Sequence, residues 1–182
     1  MSQRNLAELI DGHPDDAVAL ISRGRSTTYG ELRQQVAGLR GGLVGLGVEP
    51  DDRVAIVAAN NWYFVVSYLA VLGVGAVAVP VNPASPVPEL QRELGAVGAK
   101  AVIVGPSGRS NVAGLDRSAL PELRWFVTSE DDHIDGAVLL RDLIDSEPVP
   151  VVERAADDLA VLVFTSGTAG ATRAAKLTHG NL

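Results

Sequence analysis

The residues best suited to chemistry form one short run, Thr165-Ser166-Gly167-Thr168-Ala169-Gly170-Ala171-Thr172-Arg173, directly after the apolar stretch Leu159–Phe164. Small and hydroxylated residues let a backbone approach a ligand closely. Their N–H groups can converge on anionic oxygens, and Ser and Thr hydroxyls can donate to them or meet a hydrated cation. Arg173 adds a fixed positive charge at the end of the run. These are the parts of a polyphosphate cradle. The common phosphate motif GxxxxGK[ST] is absent, because Ala171-Thr172 follows Gly170. A tight β-hairpin turn favours the same residue types, and on the residues alone both readings stand. If Ala174–Leu177 is a strand, Arg173 and Lys176 fall on opposite faces of it.

Such a loop needs elements to hold it. Leu159–Phe164 reads as a buried strand entering it and Ala174–Leu177 as a second strand leaving it. Upstream, Ala17–Ser22 and Arg25–Thr28 read as a hairpin joined at Gly24. Thr28 and Glu31 have capping-box spacing. The following helix places Leu32, Val36, Leu39, Leu43 and Leu46 on one face, with Gly47 as its stop. Val54–Ala58 reads as a strand, Trp62–Leu72 as a helix, Gly73–Gly75 as a turn and Ala76–Val81 as a strand. Ser85-Pro86 opens a helix with Leu90, Leu94 and Val97 inward and Gly98 as its stop. Ala101–Val104 and Arg124–Thr128 read as strands, Gly105–Gly114 as a surface loop and Val138–Ile144 as a short helix. Continuous apolar strands alternating with helices predict an α/β fold: layered, with a largely parallel sheet flanked by helices.

Composition narrows the function. The 182 residues carry a net charge of -7 and only 4% are aromatic, so the positive surface and stacking faces that nucleic acids need are missing. There is no Cys, which removes disulfides, thiolate nucleophiles and Cys-bound zinc and fits a reducing, cytoplasmic setting. Arg4, Glu8, Asp11, Asp15 and Asp16 interrupt any secretory signal. Val54–Pro88 has no charged side chain, and Trp62–Val81 has the length of a membrane span. Gly73, Gly75, Pro80 and the β-branched Val77, Val79 and Val81 instead predict helix, turn and strand, with no membrane span. Residues 125–158 hold ten acids against Arg141 and Arg154 and read as a solvated acidic connector. Asp131-Asp132-His133 adjoin within that stretch and are read as solvated, not as a metal site.

Phe164–Asn181 resembles the signature loop of the adenylate-forming enzymes, which include acyl-CoA synthetases, luciferases and peptide-synthetase adenylation domains. That family has aromatic-Thr-Ser-Gly-Thr-Thr-Gly-x-Pro-Lys-Gly, then Thr-His-x-Asn after a short strand. Thr28-Tyr29-Gly30-Glu31-Leu32 is similar to its Thr-Tyr-x-Glu-Leu element. Leu46-Gly47-Val48 with Asp52-Arg53-Val54 is similar to its Leu-Gly-Val and Gly-Asp-Arg-Val. Leu72–Ala76 followed by Val79-Pro80-Val81-Asn82-Pro83 resembles its second core motif, and Gly98-Ala99-Lys100 its next. Asn82-Pro83 in place of Asp-Pro points towards the acyl-CoA synthetases and away from the peptide synthetases; as a whole the chain most resembles the fatty-acyl-CoA synthetases. The resemblance runs through nearly the whole chain in family order. In the loop, Arg173 replaces Lys, Thr172 replaces Pro, and Ala169, Ala174 and Ala175 replace Thr, Gly and Val. Arg keeps the charge but differs from Lys in shape and hydration.

The resemblance implies the first part of a large N-terminal domain, a single unit over residues 1–182 with an acidic connector at about 128–158 and a phosphate-binding loop at 165–173. It implies an ATP-dependent acid:CoA ligase, with a carboxylic acid, expected to be a fatty acid, as substrate and CoA as co-substrate. Thr165, Ser166, Gly167, Thr168, Gly170 and Arg173 would line the ATP phosphates, with Thr165 offering a hydroxyl to the magnesium shell. His179 would be structural. Family members are far longer. Their magnesium-binding Glu, ribose-binding Asp and C-terminal-domain Lys come later in family order, so this chain is expected to be an N-terminal fragment. No general base or nucleophile is named within it, and it is expected to be inactive alone and to self-associate through an uncovered surface. A stand-alone nucleotide-binding module and an inactive scaffold fragment are the alternatives.

Overall fold

The structure, a computed structural model, describes residues 5–129, 134–165 and 173–182. In chain order its elements are β1 (Val18–Ser22), β2 (Arg25–Thr28), α1 (Tyr29–Gly45), β3 (Arg53–Val57), α2 (Trp62–Gly73), β4 (Val77–Val81), α3 (Val87–Val97), β5 (Ala101–Val104), α4 (Arg109–Ala113), β6 (Trp125–Thr128), β7 (Val138–Leu139), α5 (Leu140–Ile144), β8 (Leu159–Thr165) and β9 (Arg173–Thr178). Short 3-10 turns cover Leu6–Ile10, Arg117–Ala119 and His179–Asn181.

Seven strands form one sheet in the order β7-β6-β5-β3-β4-β8-β9. All neighbours are parallel except β8 and β9, which are antiparallel. The run Val54–Val57 explains why β3 is central. Val54 and Ile56 enter one core with α1, α2 and α5, while Ala55 and Val57 enter the other with α3 and α4. A strand covered on both faces has no use for alternation, hence its unbroken apolar sequence. The β1–β2 hairpin stands apart from this sheet and packs Ala19 and Leu20 against the α1–α2 side.

Most of the expected elements are present. Thr28 Oγ1 accepts from the Glu31 N–H at 3.2 Å and Glu31 Oε2 from the Thr28 N–H at 2.8 Å, completing the capping box of α1. Gly98 ends α3 at φ +59, the left-handed conformation its lack of Cβ permits. The uncharged stretch is α2, a turn and β4. Among the described residues no helix is long and apolar enough to cross a membrane.

Two expectations need correction. Gly105–Gly114 is not simply a surface loop: it contains α4, and Val112 is buried. A Cβ on Gly108 would lie 2.6 Å from Val57 Cγ1 and 2.8 Å from the Val57 carbonyl oxygen. The glycine serves close packing on β3 rather than loop freedom. Val138–Ile144 is not one helix: Val138 and Leu139 first pair with Val127 and Thr128 as an edge strand, and α5 begins at Leu140. An apolar Val-Leu-Leu run has no periodicity to mark that boundary.

In segment 145–158, Asp145, Glu147, Glu153 and Asp157 are exposed while the backbone is tied down. Arg40 Nε donates to the Val149 carbonyl at 2.7 Å, and the Val152 N–H donates to Gly73 O at 2.9 Å. Arg154 is buried and pairs with Asp51 and Asp158. Asp131, Asp132 and His133 lie outside the described residues.

Candidate functional site

The loop-bearing hairpin is anchored by β8, which lies parallel to β4 with Ala78 opposite Val161. The strand runs one residue beyond the expected Phe164 and ends at Thr165. Its partner β9 starts at Arg173, which pairs directly across from Thr165. The structure therefore brings these two predicted site residues together, both exposed. The other four, Ser166, Gly167, Thr168 and Gly170, lie outside the described residues.

Register assigns the two cations different roles. Val163 and Leu177 pack towards the α1–α2 core, while Phe164 and Ala174 pack towards the α3–α4 core. Arg173 shares the alternation of Leu177, and Lys176, paired with Leu162, shares that of Ala174. Lys176 thus stands on the opposite face from Arg173 and cannot replace it at one ligand. Arg173 makes no ion pair among the described residues, so its charge is free for an anion. No acid occurs in residues 159–182 to oppose it.

Sheet order places a crevice at the same edge. The chain leaves β3 for α2 on one face and leaves β4 for α3 on the other, so the connections diverge at their carboxyl ends. In open α/β sheets this divergence is where ligands bind. Here a cavity of about 440 Å³ is lined by Ala58, Ala59, Asn60, Phe64, Asn82 and Pro83, among others. Its β4 side is fixed: Asn82 Oδ1 accepts from the Ala84 N–H at 3.0 Å, and Asn111 Nδ2 donates to the Pro83 carbonyl at 3.0 Å. Because β8 runs parallel beside β4, its carboxyl end at Thr165, with Arg173 paired to it, lies at this edge. Among the described residues that line it the crevice has no titratable side chain, so these offer shape and amide groups. Asn60 and Phe64 were not among the residues expected from sequence. The sole hint was the Asn60-Asn61 pair between a buried strand and an apolar helix.

His179 is structural, as its motif suggested. It is 7% exposed, and its Nδ1 accepts from the Leu6 N–H at 3.2 Å. Burial first, and the Arg154 charge second, hold the imidazole below its ordinary pKa, against the opposing pull of Asp158. The adjoining Thr178 N–H donates to Asn181 Oδ1 at 3.0 Å, so the Thr-His-x-Asn turn ties the end of β9 to the N-terminal segment.

Among the described residues no cluster of three or more His, Asp or Glu could hold a metal by itself.

A largely parallel sheet with a crevice where its connections diverge, and the Thr165–Arg173 pair on the same sheet edge, define the α/β architecture of this chain. The chain belongs to the AMP-binding enzyme family, whose profile matches residues 6–182. It is 36% identical over 171 residues to the 3-[(3aS,4S,7aS)-7a-methyl-1,5-dioxo-octahydro-1H-inden-4-yl]propanoyl:CoA ligase of Mycobacterium tuberculosis, covering 90% of this chain and 34% of the relative. Its fold matches that of the anthranilate CoA ligase AuaEII bound to anthranoyl-AMP, with a TM-score of 0.91 at 22% identity over 98% of this chain and 35% of the other. ATP-bound MatB from Rhodopseudomonas palustris is 30% identical, with a TM-score of 0.78, over 100% of this chain and 36% of its own. The chain thus spans about a third of the length of these relatives.

Proposed function

We propose that these residues form the ATP-phosphate-binding part of an AMP-forming acid:CoA ligase. In that reaction a carboxylate oxygen attacks the α-phosphorus of ATP and the bond to the β-phosphate breaks, giving acyl-adenylate and pyrophosphate. The CoA thiol then attacks the acyl carbon, its proton passes to solvent, and AMP leaves with the bonding pair. Adenylation solves a leaving-group problem, because oxide departs from a free carboxylate far too poorly.

The observation that carries this reading is the Thr165–Arg173 pair at the mouth of the β8–β9 hairpin, on the same sheet edge as the crevice. Arg173 would hold the β- and γ-phosphates, aided by the loop's Ser166, Gly167, Thr168 and Gly170. Thr165 would add a hydroxyl to the shell of the magnesium that accompanies ATP. All of these roles are electrostatic and positional. The reading assigns none of these residues the part of acid, base or nucleophile.

For the acyl group we favour an apolar carboxylic acid, with fatty acids as the first class to test. The fused-ring propanoate named for the mycobacterial relative suggests that bulky apolar acids belong in the same screen. A cytoplasmic setting, where ATP and CoA are both at hand, fits the cysteine-free sequence.

Phosphate contacts open to solvent are screened and weak. The 182 residues alone should therefore bind MgATP weakly, form no acyl-adenylate, and self-associate. Acid-dependent ATP–pyrophosphate exchange is the test of activity. Exchange by this chain, abolished by Arg173→Ala, would overturn the expected inactivity. A low-micromolar MgATP affinity would make the chain a stand-alone nucleotide module.

A further inference from the structure

A second cavity, of about 390 Å³, opens between the β1–β2 hairpin and the first residues of α2 and α5. That volume lies within the ~300–1,000 Å³ of small-molecule sites. Three arginines, Arg23, Arg25 and Arg141, line it, and no acid does so among the described residues. Arg23 and Arg25 make no ion pair among the described residues. Arg141 meets its neighbour Asp142 at 3.5 Å, where both side chains are mostly in water and the pairing is weak. The acids that follow in sequence, Glu130, Asp131 and Asp132, lie outside the described residues.

The wall is aromatic and held in place. The rings of Trp62 and Tyr63 meet edge to face, 5.0 Å apart at 79°. Trp62 Nε1 donates to Gln35 Oε1 at 2.8 Å, and its backbone N–H donates to Ser22 Oγ at 3.3 Å. The indole is therefore fixed before any ligand arrives, which lowers the entropy cost of binding. Ser129 also lines the cavity, and its Oγ is buried without a hydrogen-bond partner. A buried hydroxyl left unpaired is costly unless something supplies the missing bond. Arg23 occupies the first position of the hairpin turn at φ +51. Turns of this hand favour Asn, Asp or Gly there, and a long side chain is an uncommon choice.

We propose that this cavity binds a small aromatic phosphate, its ring against Trp62 and Tyr63 and its phosphate among Arg23, Arg25 and Arg141. Three arginines around one cavity can match the several oxygens of a phosphate, whereas one arginine suffices for a carboxylate. Ser129 supplies a further donor. This lining includes neither Thr165 nor Arg173, and nothing in the proposal depends on how that pair functions.

The sequence has two tryptophans, Trp62 and Trp125, so Trp125→Phe leaves Trp62 as the only indole. In that background 1-naphthyl phosphate is titrated while Trp62 fluorescence is followed, with 1-naphthol and inorganic phosphate as separate probes. Saturable quenching is expected, with 1-naphthyl phosphate bound at least about tenfold more tightly than either probe alone. Arg23→Ser with Arg25→Ser should weaken it about tenfold without changing the unfolding midpoint, and Arg173→Ala should leave it unchanged. No saturable response, equal affinity for 1-naphthol, or indifference to the arginine changes would each overturn the proposal.

Discussion

In β3 every side chain from Val54 to Val57 is cut off from solvent, whereas in β9 Arg173, Ala175 and Lys176 are exposed. The first strand is parallel, central and built wholly of aliphatic residues. The second is antiparallel, at the end of the strand order, and holds both cations of residues 159–182. The difference assigns stability and chemistry to different parts. Burial on both faces gives the central strands their share of the hydrophobic stabilisation, and the hairpin borrows that rigidity to position a polar loop. Changes in the layers over the central strands should therefore cost stability, and changes in the hairpin should cost ligand binding.

The severest test lies where α1 meets α5. A Cβ on Gly38 would sit 1.8 Å from the Ile144 carbonyl oxygen, a backbone atom that cannot swing aside. Gly38→Ala should force the helices apart and lower stability by about 3 kcal/mol. Urea unfolding would measure it, and the ligand affinity of the molecules still folded should not change. A loss below about 0.5 kcal/mol would mean that the layer yields more easily than close packing allows.

His179 sharpens the comparison through pH, because it fastens the hairpin's end to the N-terminal turn. Its folded-state pKa lies below the ordinary 6.5, so the unfolded chain takes up the proton first as pH falls. Stability from this group is present above about pH 6.5 and is lost as pH falls from there through the folded-state value. His179→Asn, which keeps an acceptor for the Leu6 N–H, should flatten that part of the pH profile. An unaltered profile would exclude His179 as its source.

Glu93 gives the smallest effect. It is 8% exposed on α3, with Oε2 buried and unpaired. Burial first and Glu89 second raise its pKa, against the weaker pull of Arg92. A raised carboxyl contributes stability below its unfolded pKa and loses it as pH rises through the folded value. Glu93→Gln should thus gain up to about 1 kcal/mol at pH 7 and nothing near pH 4. Thermal unfolding at the two pH values decides it.

How much of this was legible in the sequence varied with residue type. Ala101–Val104 could be read to the residue, because Lys100 and Gly105 bound a purely apolar run. Thr28 and Glu31 carried the start of α1 in their own side chains. Strand order could not be read, since β8 joins β4 through pairing far apart in sequence and no local residue records it. The β7 edge was lost within Val138-Leu139-Leu140, where strand and helix look alike. At the candidate site, Thr165 and Arg173 stood out as polar residues beside an apolar strand. The crevice did not, because Ala58, Ala59 and Pro83 acquire meaning only when two strands end together.

Binding of the phosphates of ATP at the mouth of the β8–β9 hairpin is tested most directly by phosphorus NMR of MgATP, even at weak affinity. With the chain present, the β- and γ-phosphorus resonances should broaden more than the α resonance. Arg173→Ala should remove that broadening while stability stays within about 0.5 kcal/mol, and Lys176→Ala, on the other face, should leave it in place. Broadening that persists in Arg173→Ala, or none with the unaltered chain, would contradict the claim.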